Sequence, residues 1–545
     1  MANDDLDVLV IGGGVTGCGV ALDAASRGLR VALVEQRDYS SGTSSRSSKL
    51  FHGGLRYLEH RNFALVREAL AERNLMLNHV CPHLASPVSF LYPLRHRFWE
   101  RLYVGAGVLI YDLMASFADN PLPRHTHLSR QAALQIAPAL GGRGLVGAVK
   151  YWDALVDDAR HTLMLARTAV AHGALLASSV RATGLVIENG RVHGAEATDL
   201  ETGREFRIRA RRVINATGVW SDDIQAMAGD RGLDVEASKG IHIVVPEDRI
   251  RSDTGLILRT EKSVLFVIPW DRHWIVGTTD TPWELRRAHP AACRSDIDYL
   301  LGQVNAVLSE PLAQGDIVGV YAGLRPLLTG ESDDTSMLSR EHAVIVSDTG
   351  LVSVAGGKYT TYRIMARDAV DVAVSDLGEL VPASATEEIA LVGATGWAEM
   401  MEDPARLGLP DPIRLMRRYG SETAKLAALV STDSSLAGPL VGDAPYLRAE
   451  IAFAALEEGA LHLDDVLTRR TRISIETADR GLEASIAATD IVAPILGWDD
   501  AAAGREIAHY RARVEAERDS QRQPDDNTAD AARMGAPDVR TGRSE

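Results

Sequence analysis

Residues 7 to 35, "DVLVIGGGVTGCGVALDAASRGLRVALVE", constrain the fold of this chain more than any other stretch. An apolar strand from Asp7 to Ile11 runs into a glycine turn, a helical stretch follows to Arg27, Gly28 stops it, and Val31 to Val34 form a second strand. Gly12, Gly14 and Gly17 give G-x-G-x-x-G directly after the first strand, and Glu35 closes the second about 20 residues on. The three glycines have separate tasks: a tight turn, close approach of backbone to a pyrophosphate, and close packing of helix on strand. The helix N-terminus offers the phosphate charge its N–H groups. The spacing alone is a glycine turn of any α/β protein, but strand, helix and acid together predict a dinucleotide site.

Two further segments bear on which dinucleotide. "RRVINATGVWSD" is an apolar strand breaking at Gly218, and "GLVSVAGGKYTTYRIMARDAV" places Gly356 and Gly357 between a strand and a helix whose N-terminus can face a cofactor. With a Rossmann-type unit at the extreme N-terminus, these distant pieces predict one discontinuous FAD-binding domain. The fold class expected is α/β plus α+β: that domain, an antiparallel-sheet substrate domain and a helical C-terminal cap. Short β-type runs such as "LFVIPW" mark the substrate domain, and "YLRAEIAFAALEEGALHLDDVLTRR" marks the helical one. The expected boundaries are FAD-binding parts at 1–92, 151–236 and 343–382, a membrane-proximal or substrate segment at 93–150, the substrate domain at 237–342, the cap at 384–514 and a disordered tail at 515–545.

Charge and cysteine usage remove several classes. A net charge of −16 lacks the basic surface that nucleic-acid binding needs, so any anionic ligand has to be held by locally gathered cations. Cys18, Cys81 and Cys293 are too far apart for a disulfide framework or a metal cluster, so no metal is expected and the reducing cytosol is the natural compartment. The start "MANDDLDVLV" has no signal-peptide pattern, and no uncharged run of about 18 residues marks a spanning helix.

"TSSRSSKLFHGGLRYLEH", "VINATGVWSDD", "KGIHIVV", "PWDRHWIVGTTDT", "YAGLRPLL", "SREHAV" and "AGGKYTTYR" make the chain resemble the FAD-dependent, membrane-associated glycerol-3-phosphate dehydrogenase family. The resemblance implies oxidation of glycerol 3-phosphate to dihydroxyacetone phosphate, with hydride transfer to FAD and electrons passed to a membrane quinone. It implies that the serine-rich segment leads from the adenine half of FAD to the flavin, with its histidine and arginine lining the substrate site. The chemistry agrees. Ser44, Ser47 and Ser48 can donate to pyrophosphate oxygens, and His52 and Arg56 can reach a polyol phosphate. Arg325, Arg340 and Lys358 join Arg56 as candidates for the substrate phosphate. Gly12, Gly14, Gly17, Glu35, Gly218 and Gly357 complete the expected cofactor set.

Alcohol oxidation needs a base for the hydroxyl proton. His52 and His242 are the candidates, His52 slightly favoured, while Arg325 is assigned to charge stabilisation. In "PLRHRFWERLYVGAGVLIYDLMASF", Arg95, Arg97 and Arg101 flank Phe98 and Trp99 before an apolar stretch too short to span a bilayer. A buried helix with a basic flank fits equally, and the resemblance favours an interfacial anchor on the inner face of the cell membrane. A soluble oxidase using oxygen and a different FAD-binding protein are the competing readings, and a homodimer stays open.

Overall fold

The computed structural model describes residues 1, 5–58, 62–96, 98–115, 122–142, 144–229, 232–260, 264–329, 342–378, 380–442, 444–536 and 538–541. The strand Leu6–Ile11 is buried at every position, as a strand covered on both faces of a parallel sheet must be. It lies between Val31–Val34 and Glu205–Asn215, parallel to both. The sheet runs in the order His342–Val346, Val352–Gly356, Glu205–Asn215, Leu6–Ile11, Val31–Val34 and Leu175–Ala177, with the hairpin Val180–Glu188 and Arg191–Asp199 attached to Glu205–Asn215. The helix Val15–Ser26 packs against the helices Asp158–Ala171 and Tyr362–Val374, closing one face of the sheet. The three expected FAD-binding pieces thus converge on a single sheet.

A second, ten-stranded sheet is mostly antiparallel. Its centre is the long strand Val235–Pro246, paired with Gly319–Leu328 on one side and His273–Gly277 on the other. The expected domain boundaries differ from the strand pairing here. Ala85–Leu94 and Gly147–Val156 pair with each other from Ala85↔Val156 to Leu94↔Gly147, and Ala85–Leu94 then joins Gly255–Arg259 in parallel. Residues placed with the FAD-binding parts therefore build the second sheet. Alternation identifies a strand, but not the strand it will pair with.

The cap is helical from Trp397–Met401 to Asp500–Ser520 and is held to the rest by buried ion pairs. Arg160 grips Glu458 in a bidentate pair at 2.9 and 2.7 Å, and Asp38, just ahead of the serine-rich segment, takes Arg469 at 2.5 Å and Arg470 at 2.6 and 2.8 Å. The tail expected to be disordered from 515 is ordered instead in its described residues. The helix Asp500–Ser520 continues through it, the helix Asp526–Arg533 follows, and Ala529, Asp530, Arg533 and Arg540 are buried. Its polar residues find partners inside the protein: Arg540 binds Asp465 at 2.8 Å and Asp526 pairs with Lys239. Composition signals disorder only when charges lack such partners.

Candidate active site

A cavity of about 900 Å³ opens where the two sheets meet. Gly12, Gly14, Glu35, Ser44, Ser47, Ser48, Gly218 and Gly357 line it together with His52, His242, Arg325 and Lys358. Gly17 lies behind it. A Cβ there would stand 1.9 Å from the Gly12 carbonyl oxygen, so its task is the close packing of helix on strand. Gly12 has φ +110°, and a Cβ on it would come within 2.7 Å of the Ala216 carbonyl oxygen, so the turn admits only glycine.

Glu35 turns back on this loop. Its two oxygens accept the N–H groups of Gly13 at 2.7 Å and Arg37 at 2.9 Å. Burial lifts its carboxyl above the ordinary value, against the lowering effect of those two N–H groups and the Arg37 charge. A carboxylate has about four lone-pair sites, so two remain for the hydroxyls of a ribose. A glycine turn without room for a single side-chain carbon, an acid at the end of the second strand and a cavity of this size fit the adenosine and pyrophosphate of FAD.

The serines divide their work. Ser44 Oγ accepts the Val15 N–H at 2.9 Å at the start of the first helix, which leaves its own hydrogen to donate into the cavity. Ser47 is not available to a pyrophosphate: its hydroxyl and N–H both donate to Asp158, at 2.7 and 2.9 Å. That carboxylate also holds the buried Lys49 at 2.8 Å. Ser48 lies 2.9 Å from His242 Nε2, which ties it to the imidazole rather than to a phosphate. The Ser-rich stretch therefore builds the turn, the ion-pair floor and the histidine's surroundings in succession.

His242 stacks on Tyr321 with ring centroids 4.7 Å apart, and burial, reinforced by the Arg325 and Lys49 charges, holds it well below its ordinary pKa. It is neutral near pH 7. His52 is fixed differently: its N–H donates to Thr360 Oγ1 at 3.2 Å, and its ring meets Phe266 edge-on. Arg325 is oriented by Asp280 at 3.3 Å, Thr278 Oγ1 at 3.1 Å and the Thr279 carbonyl at 3.1 Å. The Lys358 ammonium lies over the Tyr57 ring, 3.7 Å from its centroid. Gly54, at φ +77°, brings the backbone beneath it. Arg340 and Arg97 lie outside the described residues, as does the side chain of Arg56, whose backbone is in the short turn Leu55–Leu58. Sequence reasoning passed over Asp280, Thr278 and Tyr321. Asp280 ends the run "WIVGTTD", where an acid directly after an apolar strand was the available signal.

One wall of the cavity belongs to the helix Trp99–Ala115, through Tyr103, Val104, Ala106, Gly107 and Ile110. Beside that wall it exposes Trp99, Leu102, Leu109 and Leu113, and Phe98 just ahead of it, with Leu102 74% and Leu113 55% accessible, while Tyr103 and Ile110 are both cavity-lining and partly exposed. No helix among the described residues is long and apolar enough to cross a membrane. Arg101 does not join the expected cationic rim, because its guanidinium donates to the Leu128 carbonyl at 3.0 Å.

Residues 7–363 match the family described as FAD dependent oxidoreductase, and residues 384–503 match the C-terminal domain of alpha-glycerophosphate oxidase. Glycerol-3-phosphate dehydrogenase 2 of Mycobacterium tuberculosis is 54% identical over 99% of this chain and 93% of its own length. The mitochondrial glycerol-3-phosphate dehydrogenase of Homo sapiens is 37% identical over 91% of this chain and 71% of its own. The crystal structure of glycerol-3-phosphate dehydrogenase from Bacillus halodurans complexed with FAD superposes with a TM-score of 0.77 at 28% identity, covering 94% of this chain and 95% of that one. By these matches the chain belongs to the FAD-dependent glycerol-3-phosphate dehydrogenases, an enzyme family of the FAD dependent oxidoreductases.

Proposed function

We propose that the protein oxidises glycerol 3-phosphate to dihydroxyacetone phosphate and delivers the electrons to a quinone in the membrane on whose inner face it lies. The observation that carries this reading is the single cavity in which the glycine turn and Glu35 share walls with His52, His242, Arg325 and Lys358. FAD, when bound, supplies the acceptor for the hydride leaving the carbinol carbon. Arg325, aimed by Asp280 and Thr278, and Lys358 hold the substrate phosphate, the first as a planar fork and the second as a point charge. A ring nitrogen of His52 takes the hydroxyl proton. His242, neutral and bound to Ser48, keeps the pocket polar without adding charge. The helix Trp99–Ala115 exposes an apolar stripe that adjoins its cavity-lining residues through the partly exposed Tyr103 and Ile110, so an acceptor dissolved in lipid reaches the site without crossing water. A free homodimer interface is not required by this reading.

The test is anaerobic. Glycerol 3-phosphate should bleach the flavin absorbance of the loaded protein while plain glycerol does not, and a short-chain quinone should restore the colour faster than oxygen. Arg325→Leu should raise the Michaelis constant for glycerol 3-phosphate by roughly 10- to 100-fold, the scale of about 1.5–3 kcal/mol for a hydrogen bond to a charged group. Equal bleaching by glycerol would remove the phosphate from the reading. Faster reoxidation by oxygen would favour an oxidase, the alternative suggested by the match of the C-terminal domain.

A further inference from the structure

Beside the ten-stranded sheet lies a second cavity, of about 60 Å³, between the serine-rich segment, the strand Gly319–Leu328 and the last helices of the chain. At about 10–15 Å³ per water it has room for about four waters or one tetrahedral anion. Its lining is unusual in charge. Arg46, Arg513 and Arg533 meet there with Ser474 and His289, and Glu517 is the acid among them. Glu517 is already shared: its Oε1 accepts Arg533 Nη2 at 3.3 Å and Arg513 Nη2 at 3.4 Å. Arg513 also pairs with Asp464.

Donors are left over. Arg533 is 4% exposed, and its Nη1 has no hydrogen-bond partner; Ser474 is 7% exposed, and its Oγ has none. The Nδ1 of His289 is likewise buried without a partner. Burial and the neighbouring Arg513, Arg37 and Arg533 charges lower Arg46 to about 9, and burial lowers Arg533 to about 10. Buried polar groups are almost always satisfied, and buried like charges repel unless a counter-charge sits between them.

We propose that this cavity is a binding site for a small tetrahedral oxyanion of the inorganic phosphate or sulfate class, held by Arg46, Arg513, Arg533 and Ser474. The anion supplies the missing acceptors and the missing negative charge at one place. It joins four parts of the chain: the turn that leads into Ser47 and Ser48, the short helix Ile473–Glu476, the helix Asp500–Ser520 and the helix Asp526–Arg533. The candidate cations for the substrate phosphate, Arg325 and Lys358, line the larger cavity and not this one, and of the four proposed anion ligands Arg46 alone lines both.

Sulfate is the probe, and the full-length, FAD-loaded protein saturated with glycerol 3-phosphate is the sample. The thermal midpoint is followed by circular dichroism against sodium chloride of matched ionic strength, and trypsin cleavage is followed within residues 521–541. Sulfate should raise the midpoint along a saturating curve and slow the cleavage. General salting effects rise without saturating. Arg533→Gln and Ser474→Ala should each raise the half-saturating sulfate concentration about tenfold, the share of one charge-assisted hydrogen bond. If Arg533→Gln does not fold, Ser474→Ala decides alone. An absent saturable rise would mean that water fills the cavity, and an unchanged curve in the variants would mean that sulfate binds elsewhere; either outcome overturns the site.

Discussion

His52 and His242 face one cavity, yet their surroundings give them different work. Protonating His242 would put a cation in a buried place beside Arg325 and Lys49, and its Nε2 is already engaged with Ser48. His52 is held in another way, a threonine fixing its backbone and a phenylalanine edge meeting its ring. His52→Asn should therefore lower kcat by about 10²–10⁴-fold, the usual yield of general base catalysis, and erase the acidic limb of the pH profile of kcat/KM. His242→Asn keeps a polar group for Ser48 and should cost less than tenfold with the acidic limb intact. The reverse order would move the base to His242. His52, Lys358 and Gly357 were legible because glycines crowd around them in sequence. The groups that aim them were not. Asp280 reaches Arg325 across 45 positions and Ser48 reaches His242 across 194, and no local pattern records a meeting at that range.

At the scale of elements, the helix Trp99–Ala115 carries the membrane proposal on its side chains rather than on its charges. Trp99, Leu102, Leu109 and Leu113 fall three to seven residues apart on one exposed stripe, and 17 residues at 1.5 Å each make it about 26 Å long, suited to lying along a surface. Leu102 and Leu109 stay outside the cavity lining. Leu102→Glu with Leu109→Glu should reduce binding to anionic vesicles by at least 10²-fold, since burying each leucine is worth about 1.5–3 kcal/mol. Turnover with a water-soluble dye acceptor should stay near the wild-type value. Co-sedimentation that survives the double change would make the stripe a contact for something other than lipid. The sequence showed an apolar stretch after a basic one, but not which way each side chain turns. Arg101, counted with the cations, folds back onto the Leu128 carbonyl, and only the packed backbone decides that.

For the whole molecule, buried histidines set the response to acid. Burial holds His83 and His161 at about 3 and keeps His242 and His289 well below the ordinary value. In the unfolded chain each takes its proton near pH 6.5, so the stability they confer above that pH is lost as pH falls from about 6.5 towards 4. The loss is at most about 1.4 kcal/mol per pH unit for each histidine. His462 works oppositely. Burial would lower it, but Glu201 and Glu506 raise it to about 9, so its contribution is present below 6.5 and disappears as pH climbs through 9. Urea midpoints should thus fall steeply between pH 6.5 and 4.5 and gently above 9, and a midpoint that rises on acidification to pH 5 would contradict this account. The two-sheet architecture and helical cap were legible from periodicity, whereas the ordered tail was hidden, because its stability rests on partners hundreds of residues away. Lys239 shows what that separation means in time. It lies on the back of the strand that carries His242, and its two carboxylate partners, Asp296 and Asp526, follow it by 57 and 287 residues. At a synthesis rate of about 5–20 residues per second the first arrives after roughly 3–11 s and the second after roughly 15–60 s. A growing chain therefore holds this lysine by one of its two carboxylates for the whole stretch made between Asp296 and Asp526, and the last clasp on that strand closes only when the tail has been made.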